Sequence, residues 1–144
     1  MTKILYTAEA TATGDRMKGQ GRTSDGSLEV DIRPPQELGG DGSGTNPEQL
    51  FAVGYAACFE NAMSLVARRM KEDTGEARVD SKVNLLPTEE RGFKLSVELN
   101  VTLPSVDDEK AGEITRIAHK VCPYSNATKG NIDVKLTANG RDVE

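Results

Sequence analysis

The two cysteines carry the most reactive chemistry that this sequence offers. Cys58 lies inside the most apolar stretch of the chain, and Cys122 lies much further along, directly before Pro123. A buried cysteine usually serves as a small apolar core residue, and burial raises the pKa of a thiol. Reactivity at Cys58 therefore requires a positively charged side chain beside it. The composition is compatible with two alternatives: the cysteines are two unreactive buried residues, or they form a redox pair.

Three basic residues near the N-terminus are candidates for that charge. Arg16 lies in the glycine-flanked, turn-rich loop 14–21 and is the first choice, with Lys18 and Arg22 as local competitors. Taken alone, each of these side chains is more often a solvated surface charge. The pattern therefore indicates where the charge could come from without selecting one residue.

Cys122 has a different setting. Pro123 suits the first position of a helix, so a short helical turn is predicted to begin there. That turn would place the Cys122 sulfur at a helix N-terminus, where the helix dipole favours the thiolate. A buried thiol in a loop is an equally good interpretation. These arguments do not decide which cysteine attacks first.

The single histidine, His119, is the further residue that could join the cysteines as a metal ligand. Structural zinc sites use four ligands at recognisable spacings, and the sequence shows neither a CxxC nor an HxxxH pattern. We therefore expect no metal site. A reducing cytosol also disfavours an ordinary structural disulfide between the two cysteines.

The composition excludes several classes of protein. The chain has 144 residues and a formal net charge of −5, so a broad basic surface for nucleic acid is not expected. Its longest apolar stretch, Leu50 to Phe59, is about half of what a membrane-spanning helix requires. Its first residues soon turn polar, unlike the core of a signal peptide. These features predict a cytosolic protein that binds neither nucleic acid nor membrane.

The first part of the chain is predicted to form strands joined by glycine-rich loops. Apolar residues alternate over 3–13 and again over 28–32, where two prolines end the second strand. The loop 39–44 resembles a phosphate-binding loop only superficially, because no Gly-Lys-Ser/Thr follows it. We interpret it as a flexible connection.

A long helix is predicted to follow and to carry Cys58. Thr45 and Glu48 have capping-box spacing, Pro47 suits the first turn, and the helix should continue to about Lys71. On this pattern alone, the plain interpretation of Glu48 is a capping residue.

Residues 50–63 of this helix are apolar nearly all round, so the helix must be buried on all sides. A chain of this size has trouble wrapping a central helix alone. We therefore expect a second copy to supply the missing cover, most simply in a two-fold dimer.

The remaining elements complete an α+β arrangement. Strict alternation predicts strands at 79–85 and 93–103, which form a hairpin, and an amphipathic helix over 105–121 precedes a last strand at 132–136. The sheets are expected to be largely antiparallel, within one domain over 1–144.

Two long segments resemble the signatures of one protein family. The first is GTNPEQLF at 44–51, continuing through GYAACF at 54–59, and the second is VCPYSNATKGNIDV at 121–134. Both closely resemble the organic hydroperoxide resistance proteins, which belong to the superfamily named after osmotically inducible protein C. The run CPYSNAT points to this branch rather than to its osmotically inducible relatives. Similarity in the opening strand and in the turn 24–26 extends the resemblance to nearly the whole chain.

This resemblance implies a cytosolic thiol peroxidase that reduces organic and fatty-acid hydroperoxides to alcohols. The implied fold is OsmC-like, an intertwined homodimer with antiparallel sheets around central buried helices and active sites at the subunit interface. By position, Cys58 matches the peroxidatic cysteine, Cys122 the resolving cysteine, Arg16 the catalytic arginine and Glu48 its acidic partner. Arg22 stays an alternative, because the loop around Arg16 is slightly longer and more basic than the family pattern.

The resemblance also implies a reductant and a substrate pocket. The reductant is a protein that carries a dihydrolipoyl group, and no bound cofactor is implied. Apolar residues near the implied site are expected to line the pocket: Met17, Phe51, Tyr55 and Phe59. Two other functions compete, namely a non-catalytic module that binds a fatty acid or similar ligand, and a thiol redox sensor.

One geometric difficulty follows from these assignments. The helical residues between Glu48 and Cys58 correspond to roughly 15 Å of rise, and one arginine side chain does not easily touch both ends. Three explanations stay open. The helix breaks near Gly54, Glu48 belongs to a separate turn, or the arginine comes from the partner chain.

Overall fold

The computed structural model describes residues 2–144 and separates them into two units, one that ends at Leu50 and a second, Phe51–Glu144. The elements in chain order are β1 (Ala10–Thr13), β2 (Gly19–Thr23), β3 (Glu29–Ile32), a short 3-10 helix (Gln36–Leu38), α1 (Pro47–Arg69), β4 (Arg78–Pro87), β5 (Phe93–Thr102), α2 (Asp108–Val121), α3 (Pro123–Thr128), β6 (Val134–Ala138) and β7 (Arg141–Val143). The predicted α+β class is confirmed. The single domain over 1–144 stays a prediction.

The first unit contains an antiparallel sheet in the order β1-β2-β3. The strand predicted over 3–13 is shorter in the structure, because only Ala10–Thr13 pairs with a neighbour. The central strand β2 begins in what the sequence indicated as a turn-rich loop. Its residues, GQGRT, show no apolar alternation, so hydrogen bonding to strands on both sides makes it a strand, rather than intrinsic propensity.

Asn46 caps the N-terminus of α1. Its Oδ1 accepts a hydrogen bond from the Gln49 backbone N–H at 2.8 Å, which is the usual N-cap geometry. The Thr45 backbone N–H donates to the Asp31 carbonyl at 2.9 Å, so it is not free to bond the Glu48 carboxylate. The predicted capping box is therefore wrong. The interpretation of Glu48 as a capping residue is wrong for the same reason.

The helix α1 itself runs nearly as predicted. It contributes six buried side chains to the core of the second unit: Tyr55, Phe59, Ala62, Met63, Val66 and Ala67. Complete burial is not observed within one chain, because Val53 is 68% exposed and Ala57 is also exposed. An apolar strip of α1 is therefore left uncovered in a single copy.

By length and composition, α1 is also able to cross a membrane, with an 18-residue window of mean hydropathy 1.4 of which 33% is buried. The expectation that no segment has these properties is wrong, because it counted only the uninterrupted apolar stretch. The core helix of a water-soluble protein has the same properties, so this is weak support for a membrane span.

The second unit is built on a four-stranded sheet in the order β4-β5-β6-β7. The predicted β4–β5 hairpin is confirmed, and β6 pairs with β5 in parallel. A parallel pair needs a long crossover connection, which here contains α2 and α3. The core consists of inward-facing residues of β5 packed with α1 and α2, among them Leu99, Val101 and Ile114. The short β7 was missed, because its three residues show no alternation.

Candidate active site

The fold of the second unit brings the two cysteines together. Cys58 lies in the middle of α1, Cys122 lies at the junction of α2 and α3, and their Sγ atoms are 3.6 Å apart. Both thiols are free, and a disulfide bond of about 2.05 Å would require them to approach each other further. Cys122 is fully buried, whereas Cys58 is only partly buried. Of the two residues, Cys58 is the one that solvent can reach.

Burial raises the pKa of the Cys58 thiol, and the neighbouring Cys122 raises it further. The backbone N–H of Tyr124 acts in the opposite direction, because it donates a hydrogen bond to the Cys58 sulfur and thereby lowers this pKa. Burial is the larger effect, so Cys58 is mainly a neutral thiol at pH 7 in this environment. A fast reaction at neutral pH therefore requires a positive charge beside the sulfur.

The short helix predicted at Pro123 is present as α3. Cys122 lies between the two helices and caps both, because its N–H donates to the Ala118 carbonyl at 2.8 Å and its carbonyl accepts from the Asn126 N–H at 3.0 Å. Cys122 thus takes the N-cap position of α3. The prediction concerned the Cys122 sulfur. In the first turn of α3, however, the Tyr124 backbone N–H donates to the sulfur of Cys58.

Gly54 makes room for α3 beside Cys58. A Cβ at this position would lie 2.7 Å from Tyr124 Oη. The Tyr124 ring packs against Phe51 and Tyr55, with ring centroids 5.9 and 5.6 Å apart. Since Gly54 lies one helical turn before Cys58, its lack of a side chain lets Tyr124 pack where its own N–H reaches the sulfur.

A buried polar cluster lies in the same unit. The hydroxyl of the fully buried Tyr55 lies 2.8 Å from Ser125 Oγ and 3.3 Å from Thr128 Oγ1, and His119 Nδ1 lies 2.8 Å from Ser125 Oγ. Burial raises the pKa of Tyr55 and lowers that of His119, so both rings are neutral at pH 7. No pattern in the sequence indicated this cluster, because its members come from three different helices.

The four residues predicted to line a substrate pocket occupy different environments. Tyr55 and Phe59 are fully buried in the core, so they do not line an open cavity in this chain. Met17 is 50% exposed in the first unit. Phe51 does line an apolar cleft of about 380 Å³, whose other residues are Pro123, Tyr124, Ala127, Thr128 and Ile132.

Arg16 lies in a tight loop of the first unit. The Asp15 carboxylate closes this loop by accepting hydrogen bonds from the backbone N–H groups of Met17 and Lys18 at 2.9 and 3.0 Å. Gly14 has a φ of +84°, and a Cβ there would lie 2.2 Å from the Lys18 carbonyl oxygen. The loop that carries Arg16 therefore requires glycine at its start.

Arg16 and Glu48 line the same cavity of the first unit, which has a volume of about 290 Å³. The Arg16 guanidinium donates a hydrogen bond to the Leu38 carbonyl. The ion pairs found among residues 2–144 do not include Arg16 or Glu48. Arg22, the alternative, lies in β2 and lines a different cavity. The structure thus groups the predicted arginine with its predicted acidic partner.

The helix α1 is continuous from Pro47 to Arg69. Two of the explanations offered for the separation of Glu48 from Cys58 are therefore wrong, since there is no break at Gly54 and no separate turn at Glu48. The two residues lie roughly 15 Å apart along one helix axis. An arginine supplied by a partner chain is the explanation that stays open.

Within the described range 2–144, no group of three His, Cys, Asp or Glu side chains is arranged to hold a metal ion. His119 Nδ1 is already engaged with a hydroxyl group.

Comparison with known proteins identifies the family. The family model described as OsmC-like protein matches residues 40–137, which include both cysteines and all of α1. The chain belongs to the OsmC-like family. Within this family, a protein of Xanthomonas axonopodis pv. citri named organic hydroperoxide resistance protein is 51% identical over 139 residues, covering 94% of this chain and 95% of its own length.

Solved structures place the OsmC-like chain in the same branch. An organic hydroperoxide resistance protein from Elizabethkingia anophelis, with thiocyanate bound, is 49% identical with a TM-score of 0.91, covering 95% of this chain and 98% of its own. A putative member from Vibrio cholerae, with captopril in one of its active sites, is 46% identical with a TM-score of 0.93, covering 98% and 96%. The predicted membership in the organic hydroperoxide resistance branch is confirmed.

Proposed function

We propose that this OsmC-like chain is a thiol peroxidase that reduces organic hydroperoxides to alcohols. The observation that carries the proposal is the pair of free sulfurs 3.6 Å apart, of which Cys58 is accessible and Cys122 is buried. The organic hydroperoxide resistance proteins to which the chain is similar support a role in peroxide resistance. The expected location is the cytosol, where reductants can regenerate the thiols.

The first chemical step takes place at Cys58. Its thiolate attacks the distal oxygen of the hydroperoxide, the O–O bond breaks, and the sulfur retains that oxygen as a sulfenic acid. The alkoxide that leaves takes up a proton and becomes the alcohol. The sulfur loses two electrons and the peroxide gains them, so the step needs no metal or organic cofactor.

The second step uses Cys122. Its thiol condenses with the sulfenic acid, an S–S bond forms, and one water molecule leaves. A dihydrolipoyl group on a partner protein then reduces this disulfide by exchange and is itself oxidised to the cyclic disulfide. The short Sγ–Sγ distance supports the condensation, because neither helix needs to unfold for the sulfurs to meet.

Arg16 and Glu48 are proposed to activate Cys58. A guanidinium beside a partly buried sulfur offsets the desolvation that raises the thiol pKa. Glu48 would orient that guanidinium, and their shared cavity supports the pairing. Because Glu48 lies roughly 15 Å along α1 from Cys58 of its own chain, we propose that both charged residues act on Cys58 of a partner chain.

This assignment requires a homodimer. The exposed Val53 and Ala57 on the otherwise apolar α1 support it, since a second copy would cover them. We expect a dimer that persists at low micromolar concentration. Sedimentation of a folded monomer of 15.5 kDa under these conditions would remove the argument.

Mixed dimers test the cross-chain arrangement directly. A Cys58→Ser chain and an Arg16→Ala chain are each expected to be impaired alone. When the two are co-refolded, the mixed dimer contains one complete site if Arg16 acts across the interface, and no complete site if it acts within its own chain. Recovery of activity in the mixture supports the first arrangement, and its absence supports the second.

The proposed substrate class follows from the apolar cleft beside α3. A fatty-acyl chain that buries about 100 Å² there would gain roughly 2.5 kcal/mol, or nearly two orders of magnitude in kcat/KM. Hydrogen peroxide has no chain to bury. A large preference for bulky organic hydroperoxides is therefore expected, and equal rates for hydrogen peroxide and a fatty-acid hydroperoxide would contradict this part of the proposal.

Peroxide consumption by the purified chain with dihydrolipoamide tests the function as a whole. We expect catalytic turnover that Cys58→Ser abolishes. Ligand binding without turnover would favour a non-catalytic binding module instead. A single stoichiometric oxidation that dihydrolipoamide does not reverse would favour a redox sensor.

A further inference from the structure

A buried hydrogen-bonded cluster, here called the polar clamp, joins three helices near the cysteines. It consists of Tyr55 on α1, His119 on α2, and Ser125 and Thr128 on α3. Tyr55, Ser125 and Thr128 are almost completely buried. Burying polar groups is unfavourable unless they are paired, and each polar side chain of the clamp has a partner within it. The proposed reaction does not itself use these groups.

The hydroxyl protons of the clamp allow only a few hydrogen-bonding arrangements. Thr128 donates its proton to the Ser125 carbonyl at 3.1 Å, so towards Tyr55 its oxygen can only accept. Ser125 has one hydroxyl proton and two neighbours, His119 Nδ1 and Tyr55 Oη, each at 2.8 Å. Whichever neighbour receives that proton, the other must donate. Every member is thus engaged, and removing one leaves another buried group without a partner.

The clamp spans the bend at which Cys122 sits. The His119–Ser125 contact joins the last turn of α2 to α3 across Cys122, whose backbone is extended between the two helices. The Tyr55–Ser125 contact then holds α3 to α1, where Tyr55 lies less than one turn from Cys58. Together the two contacts fix both elements that carry a cysteine.

We propose that the polar clamp positions Cys122 for attack on the oxidised Cys58, with Ser125 as the central positioning residue and His119 and Tyr55 acting through it. This inference rests on the proposed thiol peroxidase function. In the step concerned, the Cys122 S–H bond and the Cys58 S–OH bond break, the S–S bond forms, and water leaves. The sulfurs must approach from 3.6 Å to about 2.05 Å, so loss of alignment slows this step specifically.

The test separates this step from the first oxidation. Ser125→Ala is reacted with one equivalent of a fatty-acid hydroperoxide in a single turnover. Alcohol release reports the first oxidation, and mass spectrometry of quenched samples reports the disulfide and the sulfenic acid that has not yet condensed. We expect disulfide formation to slow by roughly tenfold, the scale of one lost buried hydrogen bond, with the sulfenic acid persisting longer and a first oxidation within about twofold of the parent.

Rescue and a matched control separate positioning from general destabilisation. Ser125→Thr restores the hydroxyl and is expected to recover most of the rate. Thr115→Val also removes a fully buried hydroxyl, one that bonds only the Ala111 carbonyl within α2, and it is expected to resolve at the parent rate. His119→Asn, which keeps a hydrogen-bonding group near the position of Nδ1, should resolve faster than His119→Leu.

Two results would overturn the inference. One is disulfide formation at the parent rate in Ser125→Ala. The other is equal slowing of both steps in Ser125→Ala and Thr115→Val, without rescue by threonine. A different result would contradict the proposed thiol peroxidase function itself, namely that Cys58→Ser retains turnover.

Discussion

The two units of the chain hold their reactive residues by different means. In the second unit, Cys122 is fully buried and Cys58 lies on a core helix, with the Tyr124 ring packed into the space left by Gly54. In the first unit, Arg16 lies in an exposed loop that an aspartate and a glycine close. Packing fixes the sulfurs, whereas a short exposed turn holds the arginine.

This contrast indicates that the two units contribute to different steps of the proposed reaction. The distance between two sulfurs decides whether a disulfide can form, and a packed core maintains such a distance well. The charge beside a thiol sets the fraction of thiolate instead, and exposed turn residues can be placed by the approach of substrate or of a partner chain. Changes in the second unit should therefore alter which products form, and changes in the first unit should alter how fast Cys58 reacts.

The largest expected effect is that of Cys122→Ser in the second unit. The first oxidation of Cys58 should proceed at the parent rate, because Cys58 alone meets the peroxide. The sulfenic acid then has no resolving thiol, so Cys58 should proceed to sulfinic acid under excess peroxide. Rapid-mixing kinetics with mass spectrometry measures both. If this variant lost the rapid first reaction, the two cysteine roles would be reversed.

A smaller effect is expected for Arg16→Ala in the first unit. Without the guanidinium, burial keeps the pKa of Cys58 raised, and the rate at pH 7 should fall roughly tenfold to a hundredfold, as expected for losing a close opposite charge. All peroxides should slow together. The rate should also rise steeply with pH in the variant, because the thiolate fraction still increases there, while the parent has already levelled off.

Lys18→Ala and Arg22→Ala are the matched controls for that prediction. Each removes one positive charge from the same region, and each should react like the parent. If Arg16→Ala reacted like the parent instead, the activating role would move to Arg22 or Lys18.

Gly14→Ala sharpens the contrast by disturbing the loop without removing its charge. A Cβ at 2.2 Å from a carbonyl oxygen and a left-handed φ would cost about 1–3 kcal/mol locally. We expect faster hydrogen exchange over the loop and a fall in the rate of Cys58 oxidation that is smaller than for Arg16→Ala. Disulfide formation should stay unchanged, and slower resolution would show that the two regions are not independent.

The smallest effects are expected from a pair of helical glycines in the second unit. Gly112 in α2 has open space where a Cβ would be, so Gly112→Ala should stabilise the chain by about 0.5–1 kcal/mol. Gly54→Ala gains the same helix propensity but meets Tyr124. Urea unfolding should show a smaller gain or a loss for Gly54→Ala, and equal gains would mean that Tyr124 yields freely.

The sequence predicted those parts of the fold whose patterns are local. The alternation over 93–103 and the apolar run around Cys58 specify β5 and α1 with little dependence on context. The strand β2 escaped prediction because its glycines and polar residues become a strand only by pairing with neighbours on both sides. The capping residue was misplaced for a similar reason, since a backbone contact from β3 engages Thr45.

The candidate site shows the same limit. The cysteines were predicted from their types and motifs, and the grouping of Arg16 with Glu48 agrees with the resemblance. The contact of the Tyr124 N–H with Cys58 and the hydrogen bonds among Tyr55, His119 and Ser125 join residues far apart in sequence. No periodicity or spacing reports such contacts, because packing of three helices creates them.

The central claim is that Cys58 and Cys122 act as one redox unit, and thiol counting tests it most directly. The reduced parent chain is given one equivalent of a fatty-acid hydroperoxide without reductant, and the alcohol, the free thiols and the disulfide-linked peptides are quantified. The account predicts one alcohol per chain, loss of both thiols, and a Cys58–Cys122 disulfide within a single chain that dihydrolipoamide reduces. Alcohol formation with both thiols still free, or oxidation confined to Cys122, would contradict it.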